Sequence, residues 1–160
     1  PDVIELRNRL LPETERIRNI AVDLNDTSWF DEIDTANGAV FIAAGVFYYF
    51  TRSQMKALLT AMAKRFPGCK LAFDAAGKRA VKLMLKTWVK DAGITSISEY
   101  FSVDSPENDV APWLPGVKLT YRGYMLGYND LRDPSVSGLF RFMSKIADGF
   151  MKMRILRLDF

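Results

Sequence analysis

The chain has 160 residues, with 22 Lys plus Arg against 19 Asp plus Glu, a net charge of +3, one cysteine and no histidine. Without imidazole there is no Ser-His-Asp or Cys-His nucleophile and no His-ligated zinc or haem, and the lone Cys69 forms neither an internal disulfide nor a cysteine cluster, so no metal is expected and a reducing, cytoplasmic setting is the simpler reading. The basic residues are interleaved with acidic ones, which argues against a nucleic-acid partner, and the length favours a single domain with a real core.

From Asp2, Val3, Leu6, Leu10 and Leu11 recur at helical spacing, and Pro12 marks where that helix ends. Arg16 to Leu24, with Ile17, Ile20, Ala21 and Val22, reads as a strand that places Asp23 at its C-terminal end. A short helical turn around Trp29 to Ile33 follows, which Asp26 or Asp23 is able to cap.

Ala39 to Ala44 is an unalternated apolar run with the length of a strand buried on both faces, ended by Gly45. Extended to Phe50 it is still too short to cross a bilayer, so no membrane partner is expected. Thr51 and Gln54 have capping-box spacing, and Met55, Leu58, Leu59, Met62 and Phe66 define a helix that stops at Pro67-Gly68. Cys69, at the start of the next strand, reads as a small buried residue rather than a nucleophile. That strand is Lys70 to Asp74, and Val81, Met84, Leu85, Trp88 and Val89 form an amphipathic helix closed by Gly93, with Trp88 in the core.

In the last third, Ser98 to Val103 is an expected strand, Ser105-Pro106-Glu107 begins a short helix through Trp113, and Val117 to Tyr128 reads as an aromatic-rich strand. Leu139, Phe142, Met143, Ile146 and Phe150 mark a helix, and Met151 to Phe160 is a closing strand whose phase slips at Leu156, which predicts a bulge or a two-sided strand. Strands alternating with helices indicate an α/β sheet with helices on both faces.

In such a sheet ligands lie beyond the carboxyl ends of the strands. Three clusters fall there: Asp23-Leu24-Asn25-Asp26, Ala43-Ala44-Gly45-Val46 with Tyr48 and Tyr49, and Asp74 with Ala75-Ala76-Gly77. They offer carboxylate acceptors, glycines that admit a ligand to the backbone and aromatic faces, which suits a nucleoside cofactor. Each has a plainer reading: turn capping for Asp23 or Asp26, core or rim packing for Tyr48 and Tyr49, and capping of the following helix for Asp74.

The blocks Pro1-Asp2-Val3-Ile4-Glu5-Leu6-Arg7, Leu11-Pro12-Glu13-Thr14, Asp26-Thr27-Ser28-Trp29, Phe41 to Phe50, and Arg65-Phe66-Pro67-Gly68 before Phe73-Asp74 come in an order that resembles the leucine carboxyl methyltransferase and tetracenomycin-type O-methyltransferase family. The resemblance covers Pro1 to about Asp74 well and the rest loosely. It implies a Rossmann-like class I sheet that uses S-adenosylmethionine and ends in an antiparallel hairpin, into which Val117 to Tyr128 and Met151 to Phe160 fit. It places Asp23 and Leu24 at the adenine and Ala43, Ala44 and Gly45 at the turn beside the methionine part of the cofactor. Tyr49 matches an aromatic at the mouth of the substrate site, and Asp74 and Tyr124 join it as candidates on the substrate side. Where many relatives have Glu this chain has Ala44, which makes the tetracenomycin-like branch the closer match.

By the same resemblance the glycine-rich loop and the ribose-binding acid belong upstream of Pro1. The chain is therefore expected to be the C-terminal part of a methyltransferase domain, poor at binding cofactor alone, with a small-molecule hydroxyl or carboxyl acceptor and no assigned catalytic residue. The first two strands of that sheet would lie between those ending at Asp23 and Ala44, so association with the N-terminal segment, direct re-pairing or a homodimer is expected to cover the exposed edges. The alternative is a non-catalytic α/β binding or assembly module on the same scaffold.

Overall fold

A computed structural model describes residues 2–89, 100–128 and 131–160. The chain divides into two units, Pro1–Asp34 and Thr35–Phe160.

In the first unit, helix α1 (Asp2–Leu10) forms where the spacing predicts it. The expected strand from Arg16 to Leu24 does not form. Among the described residues its one β pairing is an isolated antiparallel bridge between Thr14 and Ile17, and Ile17 and Val22 are exposed. A β-competent run becomes a strand only when a neighbour completes its hydrogen bonds, and among the described residues no ladder reaches this one. The 3-10 turn Thr27–Glu32 follows, N-capped by Asp26 Oδ1, which accepts from the Ser28 N–H at 2.9 Å.

The second unit is built on a mixed four-stranded sheet of β1 (Val40–Ala43), β2 (Lys70–Ala75), β3 (Lys118–Gly123) and β4 (Arg154–Asp159), in the order β1-β2-β4-β3. β1 and β2 are parallel, while β4 runs antiparallel to both β2 and β3, so the expected C-terminal antiparallel pair is present. Leu156 and Leu158 are fully buried, with exposed Arg157 between them, and register is continuous from Arg154 to Asp159. The expected bulge at Leu156 is therefore absent. The break in phase lies earlier, at Lys152, whose φ of 52° turns the chain before the strand begins.

β1 departs from its expected double burial, since Val40 is 66% and Ile42 78% exposed. Among the described residues it pairs on one side only, with β2; Phe41 packs on Phe66 at 4.9 Å between ring centroids, while the alternate side chains Val40 and Ile42 stay exposed. Helix α2 (Arg52–Arg65) follows the prediction closely. Thr51 and Gln54 form the reciprocal capping box, and Met55, Leu58, Leu59, Met62 and then Phe66 are buried. Burial of each such side chain stabilises the fold by about 1.5–3 kcal/mol.

Helix α3 (Lys78–Met84) continues as a π turn, Leu85–Val89. The side chain of Trp88 and the predicted stop at Gly93 lie outside the described residues, as do the first two residues of the expected strand Ser98 to Val103. Residues 100–103 are not a strand, although Phe101 and Val103 are buried and donate backbone N–H bonds to Phe50 O and Ala76 O, at 2.7 and 2.9 Å.

The short helix α4 (Pro106–Asp109) continues into a 3-10 turn, Ala111–Trp113. Helix α5 (Gly138–Lys145), followed by a π turn, leaves Leu139, Phe142, Met143 and Phe150 exposed. Among the described residues no helix is long and apolar enough to cross a membrane.

Candidate functional site

The parallel strands β1 and β2 end side by side, with Ala43 in register with Phe73, and this brings two of the expected clusters together. The turn after β1 is Ala43-Ala44-Gly45. Gly45 has φ +67°, the left-handed region in which a Cβ is strained, and no atom lies within 4 Å of where that Cβ would stand. Its N–H donates to Asp74 Oδ1 at 2.6 Å, which ties the turn to the end of β2.

Asp74 does a second job. The buried Tyr48 hydroxyl hydrogen-bonds to it, and Tyr48 packs with Ala76, Ala80 and Val81. Burial raises the Tyr48 pKa well above 10.0, and the Asp74 charge, the bond to it and the nearby Tyr124 raise it further. Tyr48 is thus both a core aromatic and the partner of a carboxylate at the strand ends. Asp74 does not cap the helix after it: Gly77 holds the N-cap position with no side-chain bond. That glycine is required for space, because a Cβ there would stand 2.8 Å from Asp104 Oδ1 and 3.1 Å from Met151 O.

Tyr124 is 40% exposed and donates its backbone N–H to Met153 O at 3.1 Å. Gly45, Asp74, Tyr48 and Tyr124 therefore form one cluster. Tyr49 takes another course, with its ring edge-on to Tyr100 at 6.5 Å between centroids. Tyr100 in turn lines a cavity of about 470 Å³ together with Arg52, Lys78, Lys82, Ser102 and Asp104.

The remaining expected contacts, Asp23 and Leu24, belong to the Pro1–Asp34 unit. Asp23 is exposed, and its Oδ1 accepts from both the backbone and the side-chain nitrogen of Asn25 at 2.9 Å, as a turn-forming carboxylate does. Leu24 is half-buried. No group of His, Cys, Asp and Glu able to hold a metal ion occurs among the described residues, and Cys69 is buried.

The chain is similar to an O-methyltransferase. Over 75 residues it is 32% identical to the tetracenomycin polyketide synthesis O-methyltransferase TcmP of Streptomyces glaucescens, a stretch covering 47% of this chain and 28% of that protein. The match thus spans less than a third of the relative's length. No protein-family model matches the chain.

Sequence reading missed the two Asp74 bonds, because Gly45 and Asp74 are 29 residues apart and only strand pairing joins them. It also passed over Lys78, Lys82 and Tyr100. The signal for the lysines was their spacing of four on a helix, and Tyr100 carried none.

Proposed function

We propose that this chain is part of an S-adenosylmethionine-dependent O-methyltransferase with a Rossmann-like class I sheet, acting on a hydroxyl or carboxyl of a small, polyketide-type molecule. The observation that carries this reading is the turn at Gly45, open on one side and clasped by Asp74 on the other. Two small side chains and a glycine with a free approach fit a bulky ligand lying against backbone at the strand ends. The similarity to TcmP and the antiparallel β4 between β2 and β3 support it.

In this reading Ala43, Ala44 and Gly45 hold the methionine part of the cofactor. When bound, the sulfonium supplies an activated methyl group. Ala43, Ala44 and Gly45 would hold that group at the strand ends, where it would offer its methyl to an acceptor oxygen aligned with it. A carboxylate or acidic phenol needs no imidazole base, which agrees with a chain that has none. The chain's own contribution is position and exclusion of water. Asp74 fixes the turn, Tyr48 stays a neutral donor that orients the Asp74 carboxylate, and Tyr124 supplies aromatic surface to the acceptor.

Calorimetric titration with S-adenosylhomocysteine, on the 160-residue chain and on the full-length protein containing it, tests the proposal. Saturable binding by the full-length form, weakened at least about tenfold by Gly45→Val, is the expected result. Binding by neither form overturns the proposal and leaves the non-catalytic α/β binding or assembly module.

A further inference from the structure

The cavity beside Tyr100 opens among the first turn of α2, helix α3 and residues 100–109, and its volume falls in the range of roughly 300–1,000 Å³ typical of small-molecule sites. Val81, Leu85 and the Tyr100 ring make part of its wall apolar. Its charges do not cancel. Asp109 is committed on both oxygens: Oδ1 meets Arg52 Nη1 at 3.4 Å, and Oδ2 accepts the N–H groups of Asp104 and Ser105, each at 2.9 Å. Asp104 Oδ1 faces Lys152 Nζ at 3.6 Å.

That leaves Lys78 and Lys82. They stand four residues apart on α3, and so on one face of it, and neither forms an ion pair among the described residues. The Tyr100 hydroxyl adds an independent sign, since it is buried and has no hydrogen-bond partner among the described residues. A buried polar group normally has one, and an acceptor entering the cavity would recover the cost of its desolvation. Burial, and after it the neighbouring Tyr49, raises the Tyr100 pKa and keeps this hydroxyl a donor at neutral pH.

We propose that this cavity binds a small molecule with an apolar body and one anionic group, a carboxylate or a phosphate, held by Lys78 and Lys82 and accepting a hydrogen bond from Tyr100. The apolar wall takes the body. Two ammonium groups with no acid of their own select the charge, while the hydroxyl fixes one oxygen. The proposal does not depend on methyl transfer and is tested by binding alone, so it stands or falls separately from the titration with S-adenosylhomocysteine.

The experiment is calorimetric titration with 1-naphthoate, phenyl phosphate and the neutral 1-naphthalenemethanol. The expected result is saturable binding of an anion, the tighter of the two identifying the group read, with the alcohol at least about tenfold weaker. Lys78→Met with Lys82→Met weakens anion binding at least about tenfold, and because both side chains are exposed the melting curve stays unchanged. Tyr100→Phe weakens it roughly threefold or more and gives an independent arm should the lysine variant fail to fold. No binding of either anion, equal binding of the alcohol, or unchanged binding by the variants overturns the proposal.

Discussion

The bond between Tyr48 and Asp74 makes a quantitative prediction. Asp74→Ala removes the acceptor for the hydroxyl of the buried Tyr48 and for the Gly45 N–H. An unsatisfied buried hydroxyl costs about 1–3 kcal/mol, and the more exposed Gly45 N–H, which water can reach, adds roughly 0.5–1 kcal/mol. The expected loss is about 1.5–4 kcal/mol, or a fall in Tm of roughly 3–16 °C for a chain of this size. Tyr48→Phe removes the donor and leaves the carboxylate its bond to Gly45, at a cost of about 1 kcal/mol. In the double variant no hydroxyl is left stranded, so the two costs fall short of additivity by about 1–2 kcal/mol. Urea unfolding followed by tryptophan fluorescence measures all four corners of the cycle. Additivity within about 0.3 kcal/mol would mean that no such bond exists in solution.

Other predictions concern the same unit. The raised Tyr48 pKa has a definite sign: below the unfolded value of 10.0 its contribution to stability is fully present, and above it the unfolded chain releases a proton that the folded chain retains. Stability should therefore fall by up to about 1.4 kcal/mol per pH unit above that value on account of this group. Urea midpoints from pH 9 to 11 should decline less steeply in Tyr48→Phe, and equal slopes would count against the assignment. Thr51→Ala breaks the capping box of α2 and should cost about 1 kcal/mol, with Thr51→Ser restoring most of it. An unchanged midpoint for Thr51→Ala would show that the cap contributes nothing measurable.

What could be read from the sequence was what local chemistry decides. The capping box and the Met55 to Phe66 stripe belong to a helix that carries its own start, face and stop, and they appear where expected. The strand from Arg16 to Leu24 was not decidable in this way, since its residues suit a strand but pairing depends on another segment's edge. The same holds at the site. Gly45 and Asp74 were recognisable as strand-end residues, yet their bond follows from the register of β1 on β2 and not from either neighbourhood. Leu156 shows a further limit: alternation counted from Met151 slips, because Lys152 turns the chain and resets the count at Arg154.

β1 exposes the sharpest tension between sequence and fold. Ala39 to Ala44 is apolar at every position, the pattern of a strand with neighbours on both sides and cover on both faces, but the strand stands at the edge of the sheet with Val40 and Ile42 exposed. A long apolar edge is the arrangement that sheets ordinarily avoid, so the free edge has a kinetic signature. In β1 every second amide points away from β2 and has no ladder acceptor among the described residues, whereas β2 and β4 are paired on both sides. Hydrogen exchange resolved by residue should show the outward amides of Val40–Ala43 exchanging at close to local-opening rates, while amides of Lys70–Ala75 and Arg154–Asp159 are protected toward the global limit. Uniform protection of β1, equal to that of β2, would mean that another strand covers this edge in solution. Four strands would then be only part of the working sheet, and the apolar run would be explained as the interior strand its composition describes.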